Sequence, residues 1–545
     1  MLAKIRFSLR GALRRSALPG AIAGALLAMP VAAQDGAALN LAFRQAVAEA
    51  AYGDESIAAF YRDWGYQPIF TGADEDDRVR RAALIEALTR AATHGLPAPQ
   101  HDAAALTAVF AAADDTRARG DAEVAAARAF LAYAHAVQSG VLEPKRVDHE
   151  IVRTLPRRDG KDLLAGLAGP EPRAFLASLP PRTLEYNRLM AERMRLEEIR
   201  ARGGWGPAVR AEKLEPGQRG EAVIALRNRL ISKGYLPRTA TVGYDRAVTA
   251  AVQTFQIDHG LTADGVAGPA TLAHLNATVE ERLGQVYVAL ERERWLNLPD
   301  GLGDRHIWVN LTDFHALVID DGKVSFRTRS VVGDERDGKV TPEFSDTMEY
   351  MELNPTWTVP RGIIKRDYLP RLKANPNAAS YLRLIDRRGR VVDRGAVNFA
   401  NYTAANFPFN LVQPPGPRNA LGTVKFMFPN PHAIYLHDTP EKHLFSRERR
   451  TYSSGCIRLN DPHEFAYHLL ARQSEDPVNL FQSTLRTGQI KRINLEEPVP
   501  VHLVYRTVFG HAKGRMNYRT DIYGRDAKLW RALQAEGVRL GGAES

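Results

Sequence analysis

A multidomain α+β protein is predicted, on three observations. The 545 residues exceed what one core organises and point to three or four compact units at roughly 150 residues each. From about Leu39 to Ala201 the chain is rich in alanine, leucine and arginine at helical spacing, and a second, smaller helical unit follows from Leu214 to Asn276. Beyond about Asp304 the texture changes to short alternating strands. With 45% hydrophobic and 25% charged residues, each unit can bury a core, and disorder is not the default.

Residues 1–33 stand apart. Lys4, Arg6, Arg10, Arg14 and Arg15 precede a small apolar stretch, Ala17 to Met29, that ends in Val31-Ala32-Ala33, the pattern of a cleaved secretory signal peptide. The run is shorter than the roughly 20 apolar residues of a membrane span, and Pro19 and Pro30 interrupt it, so the mature chain is not expected to be an integral membrane protein. Arg14-Arg15 leaves Sec and twin-arginine export both open. This leader carries five of the formal +10 charges, and the remainder is spread among many acids, so no nucleic-acid partner is implied. Cys456 is the single cysteine, which excludes an intramolecular disulfide in an oxidising destination. Such a thiol is either buried and inert or kept for its nucleophilicity.

In chain order, residues 36–202 form the first helical domain. Leu84, Leu88 and Ala91 share a face that stops at His94-Gly95-Leu96-Pro97, glycine and proline being a helix stop. The aromatic-dense run Phe60 to Phe70 is expected to pack between helices. In the second unit, residues 214–276, Val223, Leu226 and Leu230 line one helix. Val248, Val252 and Phe255 line another, which ends at His259-Gly260, and Leu272 and Leu275 sit on a third. A linking helix is expected within 277–300, carrying Glu291-Arg292-Glu293-Arg294-Trp295. The strand-rich unit, 304–485, opens with a hairpin in which Ala316 to Ile319 turns at Asp320-Asp321-Gly322-Lys323 and returns along Val324 to Val332. Further strands are expected at Tyr350 to Leu353, Val424 to Phe428 and Ala433 to Leu436, and a helix at Pro462 to Arg472. Residues 366–417 are too long for a structureless loop and read as a capping insertion. Residues 486–545 are left as a C-terminal extension.

The second unit carries Gly234-Tyr235-Leu236, Tyr244-Asp245, Val252 to Gln256, His259-Gly260-Leu261, Asp264-Gly265 and Gly268 to Leu272. This set resembles the three-helix peptidoglycan-binding domain. Wall binding is what the resemblance implies; a spacer role is the alternative.

The chemistry concentrates in Tyr435-Leu436-His437-Asp438 and Ser453-Ser454-Gly455-Cys456-Ile457-Arg458. A thiol needs a base to become a thiolate, and histidine takes a proton at neutral pH. Gly455 admits a close backbone approach, and amides beside the nucleophile can hold an oxyanion. Spacing does not choose His437 over His432, His443 or His463; its place at the end of the apolar stretch Ala433 to Leu436 favours it, because that presents a group on a rigid element.

Together these residues resemble the L,D-transpeptidase signature, and the resemblance selects His437 as general base and Cys456 as nucleophile. Many family members carry histidine where Ser454 stands. The Gram-negative subfamily with a scaffold domain and a lid carries serine, and Asn354 to Pro360, Gln413 to Gly422 and Asp521 to Asp526 resemble it too. The fold implied is a helical N-terminal scaffold domain, a three-helix peptidoglycan-binding domain and a mainly-β catalytic domain with a lid insertion.

The activity implied is periplasmic peptidoglycan cross-linking between third residues of stem peptides through a thioacyl-enzyme. The partners are a donor tetrapeptide stem and an acceptor stem, and no cofactor or metal is needed. By the same resemblance Gly455, Ser454 and Tyr435 belong to the oxyanion loop, and Trp357 and Arg458 to substrate binding. Tyr435 and Trp357 also fit as core residues, and Arg458 as a plain salt-bridge partner. Arg447, Arg449 and Arg450 form a nearby basic cluster that either greets stem carboxylates or is a solvated face. Two rival readings stay open: the same thioester with water, a D-amino acid or a protein lysine as acceptor, and a non-catalytic wall-binding scaffold. A zinc peptidase is disfavoured, since no H-E-x-x-H set is present.

Overall fold

The structure, a computed structural model, describes residues 31–336, 338–511 and 514–540. The leader expected over 1–33 lies outside the described residues except for its last three, which open the helix Val31–Ala50.

The first domain is built around the long helix Thr116–Ser139, against which Val31–Ala50, Glu55–Asp63, Ala103–Ala111 and Gly160–Ala168 pack. Its core includes Phe60, Tyr61, Phe70, Leu84, Leu88, Phe130 and Leu163, so much of the aromatic run is interhelical packing. The loop after Asp63 is pinned by Glu123, whose buried carboxylate accepts the N–H groups of Ile69 (2.6 Å) and Thr71 (2.8 Å) and the hydroxyls of Tyr61 (2.8 Å) and Thr71 (2.7 Å). Gly95, at φ 73°, ends the turn after Leu88 in the left-handed region. A Cβ there would also stand 2.7 Å from the Tyr287 ring.

The small unit contains the helices Glu221–Ser232, Arg246–Asp258 and Pro269–Asn276. The expected faces all turn inward: Val223, Leu226, Leu230, Val248, Val252, Phe255, Leu272 and Leu275 form one core. Then comes the linking helix Val279–Trp295, begun by a capping box between Thr278 and Glu281. Its last turns are buried throughout, charges included.

The strand-rich part contains β1 (Arg305–Asn310), β2 (His315–Asp320), β3 (Lys323–Gly333), β4 (Phe344–Leu353), β5 (Trp357–Thr358), β6 (Arg383–Ile385), β7 (Asn410–Gln413), β8 (Val424–Met427), β9 (Leu436–His437), β10 (Thr451–Ser453), β11 (Ile457–Leu459) and β12 (Lys491–Val504). Among the described residues, nine strands form one sheet in the order β10-β3-β11-β9-β8-β4-β12-β1-β2, and β2 pairs back onto β3. Its core holds Ile307, Val309, Met348, Met351, Phe426, Leu436, Ile457 and Val501, covered by the helices Pro462–Leu470 and Pro477–Arg486. A short hairpin of β13 (Val508–Gly510) and β14 (Met516–Tyr518) and the helix Arg525–Ala535 follow.

Three expectations need correction. Residues from 486 onward are not a detached extension: β12 lies inside the sheet, antiparallel to β4 and parallel to β1, with Ile307 opposite Val501. Pro498 and Pro500 hid it, and a register break between Asn494 and Val499 accommodates that segment. The stretch Ala433 to Leu436 is not a strand. Ala433 sits at φ 54°, and the Asn430 side chain accepts from the N–H groups of His432 and Ile434 (both 3.1 Å), which makes a turn; pairing starts only at Leu436. The insertion begins at Trp357 rather than Arg366, because β5 pairs with β7 and β7 with β6 in a small sheet. That sheet shares a core of Val359, Tyr368, Leu372, Leu384, Phe399 and Leu411.

The domains meet on a buried ionic cluster. Arg292 of the linking helix pairs with Glu343 and, at 3.1 Å, with Asp526, and Arg525 reaches Glu343 at 3.3 Å. Removing one partner of a buried pair strands the others at a cost of about 3–5 kcal/mol. Glu343→Ala is therefore expected to lower the melting temperature of the whole chain by several degrees in calorimetry. A melt within one degree of the parent would mean that the cluster contributes little.

Candidate active site

β9 and β11 are neighbours and parallel, with Leu436 opposite Ile457 and His437 opposite Arg458. Alternation along a strand sends Leu436, Ile457 and Leu459 into the core. His437 and Arg458 are thereby turned the other way, and with Tyr435 and Cys456, which immediately precede the two strands, they line a cavity of about 720 Å³. Insertion residues Trp357, Ile363, Arg366, Tyr368, Arg371 and Tyr381 form the facing wall.

The turn before Cys456 is held from several directions. Gly455 sits at φ 119°, where a side chain would be strained, and a Cβ on it would lie a tight 3.2 Å from Ile434 Cδ1. Its N–H donates to Ser453 Oγ (3.1 Å), and its carbonyl accepts from Thr341 Oγ1 (2.7 Å). Ser453 Oγ in turn donates to the Cys456 carbonyl. The Cys456 thiol is half-buried, 3.6 Å from the Ala433 carbonyl, and bonds the Tyr435 hydroxyl. Burial pushes this thiol up to about 11, against the lowering pull of Tyr435 and Arg458. The Tyr435 hydroxyl is itself raised well above its ordinary value, by burial first and then by Cys456.

His437 is buried, and its Nδ1–H donates to the Asp438 carbonyl. That bond fixes the tautomer and leaves Nε2 as an acceptor. Burial, reinforced by the Arg458 charge, takes the imidazole down to about 3. The next residue, Asp438, is held as an anion by Lys442 (2.9 Å) and the N–H groups of Thr423 (2.9 Å) and Thr439 (2.7 Å). The resting site therefore holds a neutral thiol and a neutral imidazole on one face.

Of the other residues singled out from sequence, Trp357 is half-buried on the cavity wall, edge-on to Tyr368 at 6.2 Å. Arg458 pairs with Glu441 beside His437. Ser454 is exposed and accepts from Arg366 Nη2 at 3.5 Å, tying the insertion to the cysteine turn. The cluster at 447–450 does not line this cavity: Arg450 is buried and donates to the Ser330 (3.1 Å) and Phe314 (3.1 Å) carbonyls, and Arg449 pairs with Glu335. Sequence reading missed Thr341, Asp438, Arg366, Arg371 and Arg418. Their placement depends on contacts between distant segments, for which the sequence carries no local signal.

Comparison with known proteins adds three family matches. Residues 304–482 match the "L,D-transpeptidase catalytic domain", residues 55–192 the "Scaffold domain", and residues 219–275 the "Putative peptidoglycan binding domain". A curated protein of Haemophilus influenzae, named "Putative L,D-transpeptidase", is 31% identical over 246 residues, which is 44% of this chain and 48% of that protein. The match thus spans about half of the relative's length. Crystal structures of L,D-transpeptidases from Xylanimonas cellulosilytica and Stackebrandtia nassauensis align at 17% and 15% identity, each over 55% of this chain and over 100% and 97% of theirs. Their TM-scores are 0.19 and 0.20, too low to bear on the architecture. Among the described residues, no helix is long and apolar enough to cross a membrane. By domain content, the chain carries an L,D-transpeptidase catalytic domain joined to a scaffold domain and a peptidoglycan-binding-type domain.

Proposed function

We propose that this chain is a periplasmic cysteine L,D-transpeptidase that cross-links peptidoglycan, with Cys456 as nucleophile and His437 as base. The observation that carries the reading is the shared face of β9 and β11, which sets Cys456 and His437 in one lidded cavity within the domain matched to this family.

In the first step the Cys456 proton passes to His437 Nε2 as Sγ attacks the carbonyl carbon of the third residue of a donor tetrapeptide stem. The negative charge gathers on the former carbonyl oxygen, where the Tyr435 hydroxyl beside the sulfur would stabilise it. On collapse the bond to the terminal D-alanine breaks, and its nitrogen takes the proton from His437. In the second step the side-chain amine of another stem attacks the thioester and gives its proton to His437. The C–S bond breaks, and sulfur recovers the proton. Trp357 and Arg458 line the groove that holds the donor. The insertion excludes water, which would otherwise take the acyl group.

Intact-protein mass spectrometry tests this. Incubated with a disaccharide tetrapeptide or a carbapenem, the parent protein is expected to gain an adduct on Cys456, and with the disaccharide peptide to release a cross-linked dimer. Cys456→Ala does neither. A folded parent with no adduct and no product would leave a non-catalytic wall-binding scaffold, and product masses separate stem amine, water, D-amino acid and lysine acceptors. His437→Gln is expected to slow acylation by about 10²–10⁴-fold, the range for loss of a positioned base.

The resting thiol at about 11 sets a pH expectation. Below that value the thiolate fraction grows about tenfold per pH unit, so alkylation of Cys456 by iodoacetamide should climb from pH 7 to 10 without a plateau. A plateau near pH 6–7 would instead show a preformed thiolate–imidazolium pair. Arg366 gives a further expectation: it bridges the insertion to Ser454 and, at 3.2 Å, to the Gly338 carbonyl. Arg366→Ala should raise the hydrolysed share of product by roughly 2–10-fold, the worth of one or two hydrogen bonds.

A further inference from the structure

A second cavity, of about 780 Å³, lies away from Cys456 where four parts of the chain meet. The three-helix unit contributes His274, the linking helix Arg282 and Gln285, the sheet domain Glu448, and the C-terminal segment Trp530.

Arg282 is the anomaly in its wall. It is buried, yet among the described residues no carboxylate lies within 4.0 Å of it. Its guanidinium donates to the Gln285 side chain (2.8 Å) and the His274 carbonyl (3.0 Å) and lies over the Tyr518 ring at 4.5 Å. Buried charges are ordinarily paired.

The acids that line the same cavity are committed elsewhere. Glu281 caps Thr278 N–H (2.8 Å), Glu448 takes Thr262 N–H (2.8 Å), Asp521 takes the Tyr505 hydroxyl (2.6 Å), and Asp526 pairs with Arg292. Arg519 already has Asp313. The excess positive charge is felt nearby: burial and then Arg282 take His274 down to about 3, and burial followed by Arg282 takes Lys233 to about 6.

The cavity also has an aromatic surface. Trp530, on the helix Arg525–Ala535, is half-buried and meets the linking helix at Gly284, where a Cβ would stand 3.3 Å from the indole. Arg282 and Trp530 thus line one cavity, the first offering a charge and the second a flat apolar ring.

We propose that this junction cavity is a second ligand site, taking a stem-free amino-sugar segment of peptidoglycan whose free lactyl carboxylate supplies the missing counter-ion of Arg282 and whose ring lies against Trp530. The inference rests on the proposed function for its choice of polymer. Its consequence is that a glycan strand is held by the three-helix unit and the catalytic domain jointly.

Isothermal titration of the mature chain compares the disaccharide of N-acetylglucosamine and N-acetylmuramic acid with chitobiose, which lacks the lactyl carboxylate. The acidic disaccharide is expected to bind at least about tenfold more tightly, the return on one charge-assisted hydrogen bond. Arg282→Gln abolishes that preference, Arg282→Lys keeps part of it, and Trp530→Ala weakens both sugars. Thermal melts accompany each variant, and Trp530→Ala carries the test if Arg282→Gln fails to fold. Equal binding of the two sugars, or binding that neither Arg282 nor Trp530 affects, overturns the site. Carbapenem acylation of Cys456 is scored separately on the same proteins: its failure in the parent overturns the transpeptidase reading, and its persistence without sugar binding overturns only this site.

Discussion

The carboxylate of Glu343 holds two buried guanidinium groups, Arg292 from the linking helix and Arg525 from the C-terminal helix, and the domain arrangement hangs on that grip. Three ions in a low-dielectric interior tolerate little displacement, because any partner drawn away leaves an uncompensated charge. The neighbouring residues on the linking helix repeat the device. Glu291 accepts the N–H groups of Val141 (2.7 Å) and Leu142 (2.8 Å) from the scaffold domain, Arg294 reaches the His94 carbonyl, and Glu293 pairs with Arg506 beyond β12. One short stretch of helix thus faces the scaffold domain, the sheet and the C-terminal segment, each through a charge that fits one geometry. An apolar stripe would hold these parts together but would tolerate sliding; fixed ion pairs set register.

That register reaches the cysteine through short steps. Arg525 donates to the Thr341 carbonyl (2.8 Å), the Thr341 hydroxyl donates to the Gly455 carbonyl, and Gly455 precedes Cys456. Tyr523 adds a second brace to the Gly333 carbonyl at 2.6 Å. From the other side, the Glu343 backbone exchanges hydrogen bonds with Glu150 and Val152 of the scaffold domain (both 2.8 Å). The scaffold domain therefore contacts the segment leading into β4, and that segment buttresses the cysteine turn through Thr341, although no scaffold residue lines the cavity itself. A nucleophile must be held to a fraction of an ångström to attack well, and here the far domains contribute to that precision.

How much of this could be read from sequence depends on how local each cause is. The three-helix unit was legible because each helix announces its own end, as at Gly234 and His259-Gly260, and its apolar faces repeat at helical spacing. The β2–β3 hairpin was legible for the same reason. β12 was not: its evidence is the neighbours it slots between, and Pro498 and Pro500 argue locally against a strand. The run Glu291 to Arg294 was legible only as part of a linking helix, because nothing nearby in sequence shows that Glu343, Asp526 and Arg506 will arrive. Around the cysteine, the single thiol, the glycine before it and the resemblance drew attention to Cys456 and His437. Thr341, Arg366 and Asp438 act through tertiary contact and left no such trace.

The resting chemistry of the site follows from the same burial that makes it rigid. A thiol pushed up and an imidazole pushed down cannot exchange a proton at equilibrium to any large extent, so nucleophilicity is withheld until something changes the electrostatics of the cavity. The walls show what can change them. Arg371 and Arg418 line the cavity and, among the described residues, neither has a carboxylate within 4.0 Å, whereas Arg366 and Arg458 are neutralised by Asp367 and Glu441. On the proposed function, a stem peptide would bring carboxylates to these two guanidinium groups and a polarised carbonyl beside the sulfur. In that reading proton transfer would accompany attack instead of preceding it. A neutral thiol is also a poor target for the oxidants that consume thiolates, which would suit the proposed export to an oxidising compartment.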